Sequence, residues 1–171
     1  MPPSLVETYG GDIKKAYIAN GVPLYLGLAS MLISTFIHLM IMSIIMFLIA
    51  PIAFDAALPT SFPLYFISLA IFIAVSLSIG SILGLAAKKQ SELTMISQVI
   101  FLPSIMLAGI MFPIDLLPKA FEFAGKVFPA AWGYQLMLND GLRLSNLWVL
   151  IAIFIIAVIL NILLLQKQSH E

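Results

Sequence analysis

Residues 22–50 read VPLYLGLASMLISTFIHLMIMSIIMFLIA and contain no aspartate, glutamate, lysine or arginine. A helix of about 20 apolar residues crosses the hydrocarbon core of a bilayer, because each residue rises about 1.5 Å and the core is about 30 Å thick. The stretch exceeds this length and lies between the turn signal Asn20-Gly21 and Pro51. It therefore predicts a membrane-spanning helix.

Three further stretches, residues 62–87, 93–112 and 147–165, are also long and apolar enough to span, and charged or polar residues bound each of them. Of the 171 residues, 62% are hydrophobic and 9% are charged, whereas a soluble domain carries about 25% charged residues. The sequence predicts an all-α integral membrane protein with four transmembrane helices in a single transmembrane domain, residues 1–171. This composition argues against a soluble globular enzyme.

The charge balance and the motif content exclude several classes of function. Eight basic residues balance eight acidic ones, so no basic stripe is available to bind a nucleic-acid backbone. The chain has no cysteine, which removes thiolate chemistry and cysteine-ligated metals. Neither a catalytic motif nor a glycine-rich phosphate loop is present. We therefore expect no enzyme, cofactor or metal site in this chain, and ATP and Mg²⁺ would have to bind to another subunit.

The distribution of basic residues predicts the orientation in the membrane. Four spans place both termini on one side, together with the short connection between the second and third spans. That side carries five basic residues against three on the other: Lys14, Lys15, Lys88, Lys89 and Lys167 against Lys119, Lys126 and Arg143. The positive-inside rule then places both termini in the cytoplasm. Because the first fifteen residues lack an apolar core, we do not expect them to be a cleavable signal peptide.

The connection over residues 113–143 is too long for a turn and too apolar for a solvated loop. Asp115 with Lys119 and Glu122 with Lys126 have the i,i+4 spacing of a helix surface, and Pro129 is expected to end this helix before a second one begins at Trp132. We interpret the segment as an extracellular helical hairpin, re-entrant or interfacial, before the last span. A plain amphipathic surface loop is the alternative.

A few polar and small residues within the predicted spans have both functional and structural interpretations. His38 is ionisable and intramembrane, which suggests a functional role, but a neutral imidazole bonded to a neighbouring helix is the simpler explanation. Ser76, Gly80 and Gly84 recur every four residues and predict a face for close helix packing. Asn161 is expected to form an interhelical hydrogen bond, with substrate contact as the alternative.

Several elements follow one another in a specific order after residue 91. A span reads IFLPSIMLAGIMFP over residues 100–113, then Leu-Leu-Pro ends at Pro118, and FPAAWGY covers residues 128–134. This order resembles the permease subunits of type 2 ATP-binding-cassette (ABC) exporters. The family's positions before and within its re-entrant hairpin are matched here by Gly109, Phe112, Pro113, Leu117, Pro118, Pro129 and Trp132.

The number of spans departs from that family, whose members typically have six. By position the four spans here resemble spans three to six. Residues 1–21 would then be the remnant of the coupling region that receives force from the ATPase. The resemblance thus implies a carboxy-terminal four-span portion. The expected explanations are a fragment, a truncated gene product, or missing helices that a separate chain supplies.

The resemblance also implies a set of partners and site residues. It implies a dimer with a second permease copy or paralogue in the cell membrane, a separate ABC ATPase, and export of a hydrophobic or amphipathic drug, antibiotic, lipid or lipid-linked glycan. The outer gate would comprise Phe112, Pro113, Leu117, Pro118, Phe121, Phe128, Pro129 and Trp132. The surface facing the ATPase would comprise Lys14, Lys15, Lys88, Lys89 and Glu92. A non-transporting assembly or regulatory subunit, or a truncated permease remnant, is the alternative.

Overall fold

The computed structural model describes residues 2–111, 118–138 and 144–170, apart from the side chains at positions 10, 12, 122, 144, 145 and 168–170. Helices are the regular elements of these residues. In chain order they are α1 (Pro2–Gly10), α2 (Asp12–Ala19), α3 (Leu24–Phe54), α4 (Phe62–Ala86), α5 (Gln90–Leu107), α6 (Lys119–Gly125), α7 (Pro129–Leu138) and α8 (Leu144–His170).

Three of the four predicted spans coincide with helices that are long and apolar enough to cross a membrane. Within the described residues these are α3, α4 and the Asn146–Lys167 part of α8. The third predicted span, residues 93–112, overlaps α5, which does not meet the same criterion of length and composition. Polar residues, among them Gln90 and Glu92, occupy its first turn, and its 18 residues are about 27 Å long. The fourth transmembrane crossing therefore stays a prediction.

Helix α3 is longer than the predicted span, which was expected to end before Pro51. The helix continues through Pro51 to Phe54. A proline lacks the N–H that would donate to the carbonyl four residues earlier, and it disturbs the turn before it. Because Pro51 lies three residues before the end of α3, only one further turn follows the disturbed one. Asp55 follows in the left-handed conformation at φ 47°, and its N–H donates to the carbonyl of Ala50.

Helix α4 lies at the centre of the described bundle and packs against α1, α3, α5, α7 and α8. In the most apolar part of α4, 33% of the residues are buried, whereas none is buried in the corresponding part of α3. Val75 of α4 forms a core cluster with Leu136 of α7 and Leu150 of α8. The central position of α4 thus links the short helix α7 to the last span.

A buried polar cluster joins α4 to α8. Ser81 donates its hydroxyl proton to Oδ1 of Asn161 over 2.8 Å, and Nδ2 of Asn161 donates to the carbonyl of Ser78 over 2.9 Å. Ser81 is fully buried and Asn161 is 6% exposed. These bonds agree with the predicted interhelical role of Asn161, and they fix the register between the two helices.

The amino-terminal helix α1 docks against α4 and the start of α3. Leu5 is fully buried, and Tyr9 is 4% exposed and donates its hydroxyl proton to the carbonyl of Leu24 over 2.6 Å. A Cβ atom on Gly84 would lie 3.0 Å from Cβ of Leu5 and from the Pro2 carbonyl oxygen. The absence of a side chain at Gly84 therefore permits the close approach of α1.

Asn161→Ala is expected to lower the free energy of unfolding by about 1–2 kcal/mol, because the substitution removes the interhelical bonds of the Asn161 side chain to the Ser81 hydroxyl and the Ser78 carbonyl and leaves the Ser81 hydroxyl only the Ser78 carbonyl of its own helix. Gln98→Ala is the control, since Gln98 is an exposed polar residue of α5. Thermal unfolding in a mild detergent measures both variants. Equal unfolding temperatures for the two variants would contradict a stabilising role of the cluster.

Gly84→Ala is expected to loosen the docking of α1, at a cost of about 1–3 kcal/mol. The added methyl group would lie 3.0 Å from Cβ of Leu5 and from the Pro2 carbonyl oxygen, so α1 would have to shift away from α4. Gly80→Ala is the matched control, since its Cβ would lie 3.5 Å from Cγ of Pro2, an ordinary contact. Because the chain has no other thiol, maleimide labelling of a Thr8→Cys background reports the exposure of α1. Labelling that is equally slow in both glycine variants would refute the steric account.

Candidate functional site

Lysines from three separate segments line one cavity at the end of the bundle where α1 docks. The cavity has a volume of about 750 Å³. Lys14 and Lys15 come from α2, Lys88 follows α4, and Lys167 lies near the end of α8. Among the described residues that line the cavity, none is a carboxylate. The fold thus brings four of the five basic residues of the predicted cytoplasmic side to one place.

Lys89 and Glu92 lie beside this cavity and do not line it. Both side chains are exposed at the start of α5. The Lys89 carbonyl accepts a bond from the N–H of Leu93, and Glu92 occupies the first turn of the helix, where a negative charge is favourable. The residues predicted to face an ATPase therefore divide between the wall of the cavity and an adjacent exposed edge.

The phenol of Tyr9 connects α1 to α3 beside the same cavity. Burial, with a further contribution from the nearby Tyr17, raises the pKa of Tyr9 from 10.0 to about 12. At neutral pH the phenol is protonated, as it also would be at its ordinary pKa, and it donates to the Leu24 carbonyl. Gly27 leaves the space that this arrangement needs, because a Cβ there would lie 3.0 Å from the Tyr9 oxygen. No motif or spacing in the sequence points to Tyr9 or Gly27, because the contact joins residues that are distant along the chain.

The predicted small-residue face of α4 is divided in the structure. Gly80 and Gly84 face α1, whereas Ser76 is exposed. The element that approaches the two glycines is therefore the short amino-terminal helix. His38, on α3, is also exposed. Among the described residues, no group of three or more histidines and carboxylates is placed to hold a metal ion.

The segment predicted as an outer hairpin contains two short helices, α6 and α7, which pack against α5. Helix α7 also packs against α4 and α8. The predicted boundaries differ from the observed ones: α6 ends at Gly125, and Pro129 begins α7 instead of ending the first helix. A proline is favourable at a helix start because the N–H that it lacks would have no intrahelical partner there. Whether the hairpin is re-entrant stays a prediction.

The predicted gate residues occupy different environments in this segment. Pro118 precedes α6, Phe121 is 53% exposed, and Phe128 and Pro129 are half-buried. The indole N–H of Trp132 donates to the Lys126 carbonyl over 2.7 Å and ties α7 to the end of α6. Phe112, Pro113 and Leu117 lie outside the described residues.

Close packing at two glycines fixes the positions of α6 and α7. A Cβ on Gly125 would clash with the backbone of Leu107 in α5, and a Cβ on Gly133 would clash with the ring of Phe72 in α4. Helix α7 can therefore lie directly on α4. The sequence alone does not mark either glycine, because the need for a missing side chain comes from Leu107 and Phe72, which lie elsewhere in the chain.

Two further cavities lie near the opposite end of α4. One, of about 400 Å³, is lined largely by apolar residues of α3 and the following loop, including Met46 and Phe47. The other, of about 500 Å³, lies between that loop, the start of α4 and α7, with Tyr65 and Tyr134 in its wall. Apolar side chains predominate in both walls, and the wall of the second cavity also includes Thr60 and Ser61.

The comparisons with known proteins give one family. The model of the family described as "ABC-2 type transporter" matches residues 19–139, which is most of the chain and includes α3 to α7. No curated protein matches the chain. No solved structure matches it either. Together with the three helices of spanning length, the match shows that this multi-pass membrane chain belongs to the ABC-2 type transporter family, whose membrane domain is a permease and not a catalytic domain.

Proposed function

We propose that the chain is the permease subunit of an ABC exporter that moves a hydrophobic or amphipathic compound, such as a drug, an antibiotic, a lipid or a lipid-linked glycan, across the cell membrane. The observation that carries this proposal is the family match over residues 19–139. The largely apolar walls of the two cavities near the start of α4 support the substrate class, because such cavities select by shape and area.

In the proposed mechanism a separate ATPase subunit binds ATP and Mg²⁺ and acts on the lysine-rich end of the bundle, in the cytoplasm with both termini. Its docking surface would comprise Lys14, Lys15, Lys88, Lys89 and Glu92. Two permeases, identical or paralogous, would form the dimer that encloses the path. Helix α1 contacts α4 near this end, and α4 contacts α7. A displacement of the coupling region can therefore reach the hairpin through α4, and also through α5, which contacts α1, α6 and α7.

The ATPase partnership is tested by purifying the tagged chain from its native membranes in mild detergent. We expect an ABC ATPase to copurify in near-equal amount. Reversing the charges of the exposed edge, in the double variant K89E/E92K, is expected to reduce ATPase recovery severalfold. Lys119→Glu, at the start of α6, is the control and should retain it.

The outcome decides between the transporter and the alternative. If an intact, folded chain recovers no ATPase, the exporter proposal fails, and an assembly or regulatory subunit or a truncated permease remnant becomes the better account. If the K89E/E92K variant and Lys119→Glu recover the ATPase equally well, the docking surface is wrong, although the partnership stands.

The outer-gate proposal predicts that Phe121→Lys disturbs export and leaves membrane insertion intact, because Phe121 is a half-exposed apolar side chain on α6 and is not part of the buried core. A charge there would hold water in a constriction that closes by apolar contact. Phe121→Leu keeps the apolar surface and is the control. Export by a reconstituted permease with its ATPase is measured with a fluorescent amphipathic compound. Normal export by a well-inserted Phe121→Lys variant would refute the gate assignment.

A further inference from the structure

The four lysines around the large cavity lie at the level of a membrane surface. The spanning part of α8 ends at Lys167, and α4 ends two residues before Lys88. Helices of this length cross the hydrocarbon core, so their ends coincide with the headgroup region. Lysine side chains at such positions extend their ammonium groups toward that region. Lys14 and Lys15 reach the same place from α2.

The wall of the cavity combines these positive charges with apolar surface. Leu85 of α4, Leu164 of α8 and Ile18 of α2 line it together with the four lysines. Beside it, Ile162 and Leu163 of α8 are about half exposed, at 50% and 54%. A ligand with a phosphate group and an adjoining hydrocarbon part would satisfy both kinds of surface.

We propose that this cavity binds the headgroup of an acidic phospholipid, with the phosphate among Lys14, Lys15, Lys88 and Lys167 and the acyl chains along the exposed apolar face of α8. Basic pockets between transmembrane helices are suited to anionic headgroups, and each lysine near such a headgroup contributes about 1 kcal/mol, which is about a fivefold change in affinity. The hydrocarbon wall favours a lipid over a free phosphate ion, which would gain nothing from Leu85 or Leu164.

The bound lipid would connect three parts of the chain that are distant in sequence. Its headgroup would contact α2, the connection after α4 and the end of α8. We therefore expect an acidic lipid to stabilise the position of α2 against the bundle. The lipid site shares Lys14, Lys15 and Lys88 with the proposed ATPase surface, but its test needs only the purified chain and does not depend on export or on the ATPase.

The test is native mass spectrometry of the purified full chain, exchanged into detergent with either phosphatidylglycerol or the zwitterionic phosphatidylcholine. We expect phosphatidylglycerol to be retained at least tenfold more than phosphatidylcholine. Lys88→Gln should lower this retention about fivefold, and Lys14→Gln with Lys167→Gln about 25-fold if the two contributions are independent. Lys89→Gln is the matched control, because it removes the same charge one residue away without touching the cavity wall.

A second arm separates a lipid from a small anion. Inorganic phosphate and glycerol 3-phosphate at millimolar concentration should leave phosphatidylglycerol bound, because they lack the hydrocarbon part. Displacement by either would assign the cavity to a soluble phosphate and overturn the lipid proposal. Equal retention of both phospholipids, or equal effects of Lys88→Gln and Lys89→Gln, would overturn it as well. Circular dichroism confirms that each variant keeps its helices.

Discussion

Close contact between α4 and the helices around it is the constraint on which the described bundle depends. In a membrane the hydrophobic effect does not drive helices together, because lipid tails are as apolar as the side chains, so tight packing and hydrogen bonds between helices decide the arrangement. Ser78 and Ser81 bond to Asn161 of α8, and Gly84 admits α1. Phe72 of the same helix packs against Gly133 of α7. The position of each neighbouring helix follows from these contacts.

The sequence was most informative where the bilayer alone sets the structure. Spans 22–50, 62–87 and 147–165 could be predicted closely, because the hydrocarbon thickness fixes their length and composition. The hairpin boundaries were less accurate, since a proline can end one helix or begin the next, as Pro129 does. Helix α1 was missed. Leu5 and Tyr9 have i,i+4 spacing, which is a weak signal in a helix of nine residues, and their burial depends on Gly84, which is distant in the chain.

The convergence of the lysines was also only partly predictable. The predicted four-span topology puts Lys14, Lys88 and Lys167 on one side of the membrane, but it cannot show that they surround one cavity. Within the proposed mechanism the ATPase surface and the lipid cavity share Lys14, Lys15 and Lys88, whereas the exposed edge of Lys89 and Glu92 belongs to the ATPase surface alone. Helix α4 then connects both surfaces to α7 by direct contact. A displacement of α1 can reach α7 by this route only while α1 stays docked on α4.

Disulfide formation between Pro2→Cys and Gly80→Cys measures that contact most directly. A Cβ on Gly80 would lie 3.5 Å from Cγ of Pro2, an ordinary contact, so two cysteines can meet there without displacing α1, and the chain supplies no competing thiol. The account predicts rapid crosslinking in native membranes under a mild oxidant, and none for Pro2→Cys with Ile67→Cys, because Ile67 is an exposed residue of α4 about 20 Å along the helix from Gly80. Failure of the first pair to crosslink, or equal crosslinking of both pairs, would contradict the docking of α1 on α4.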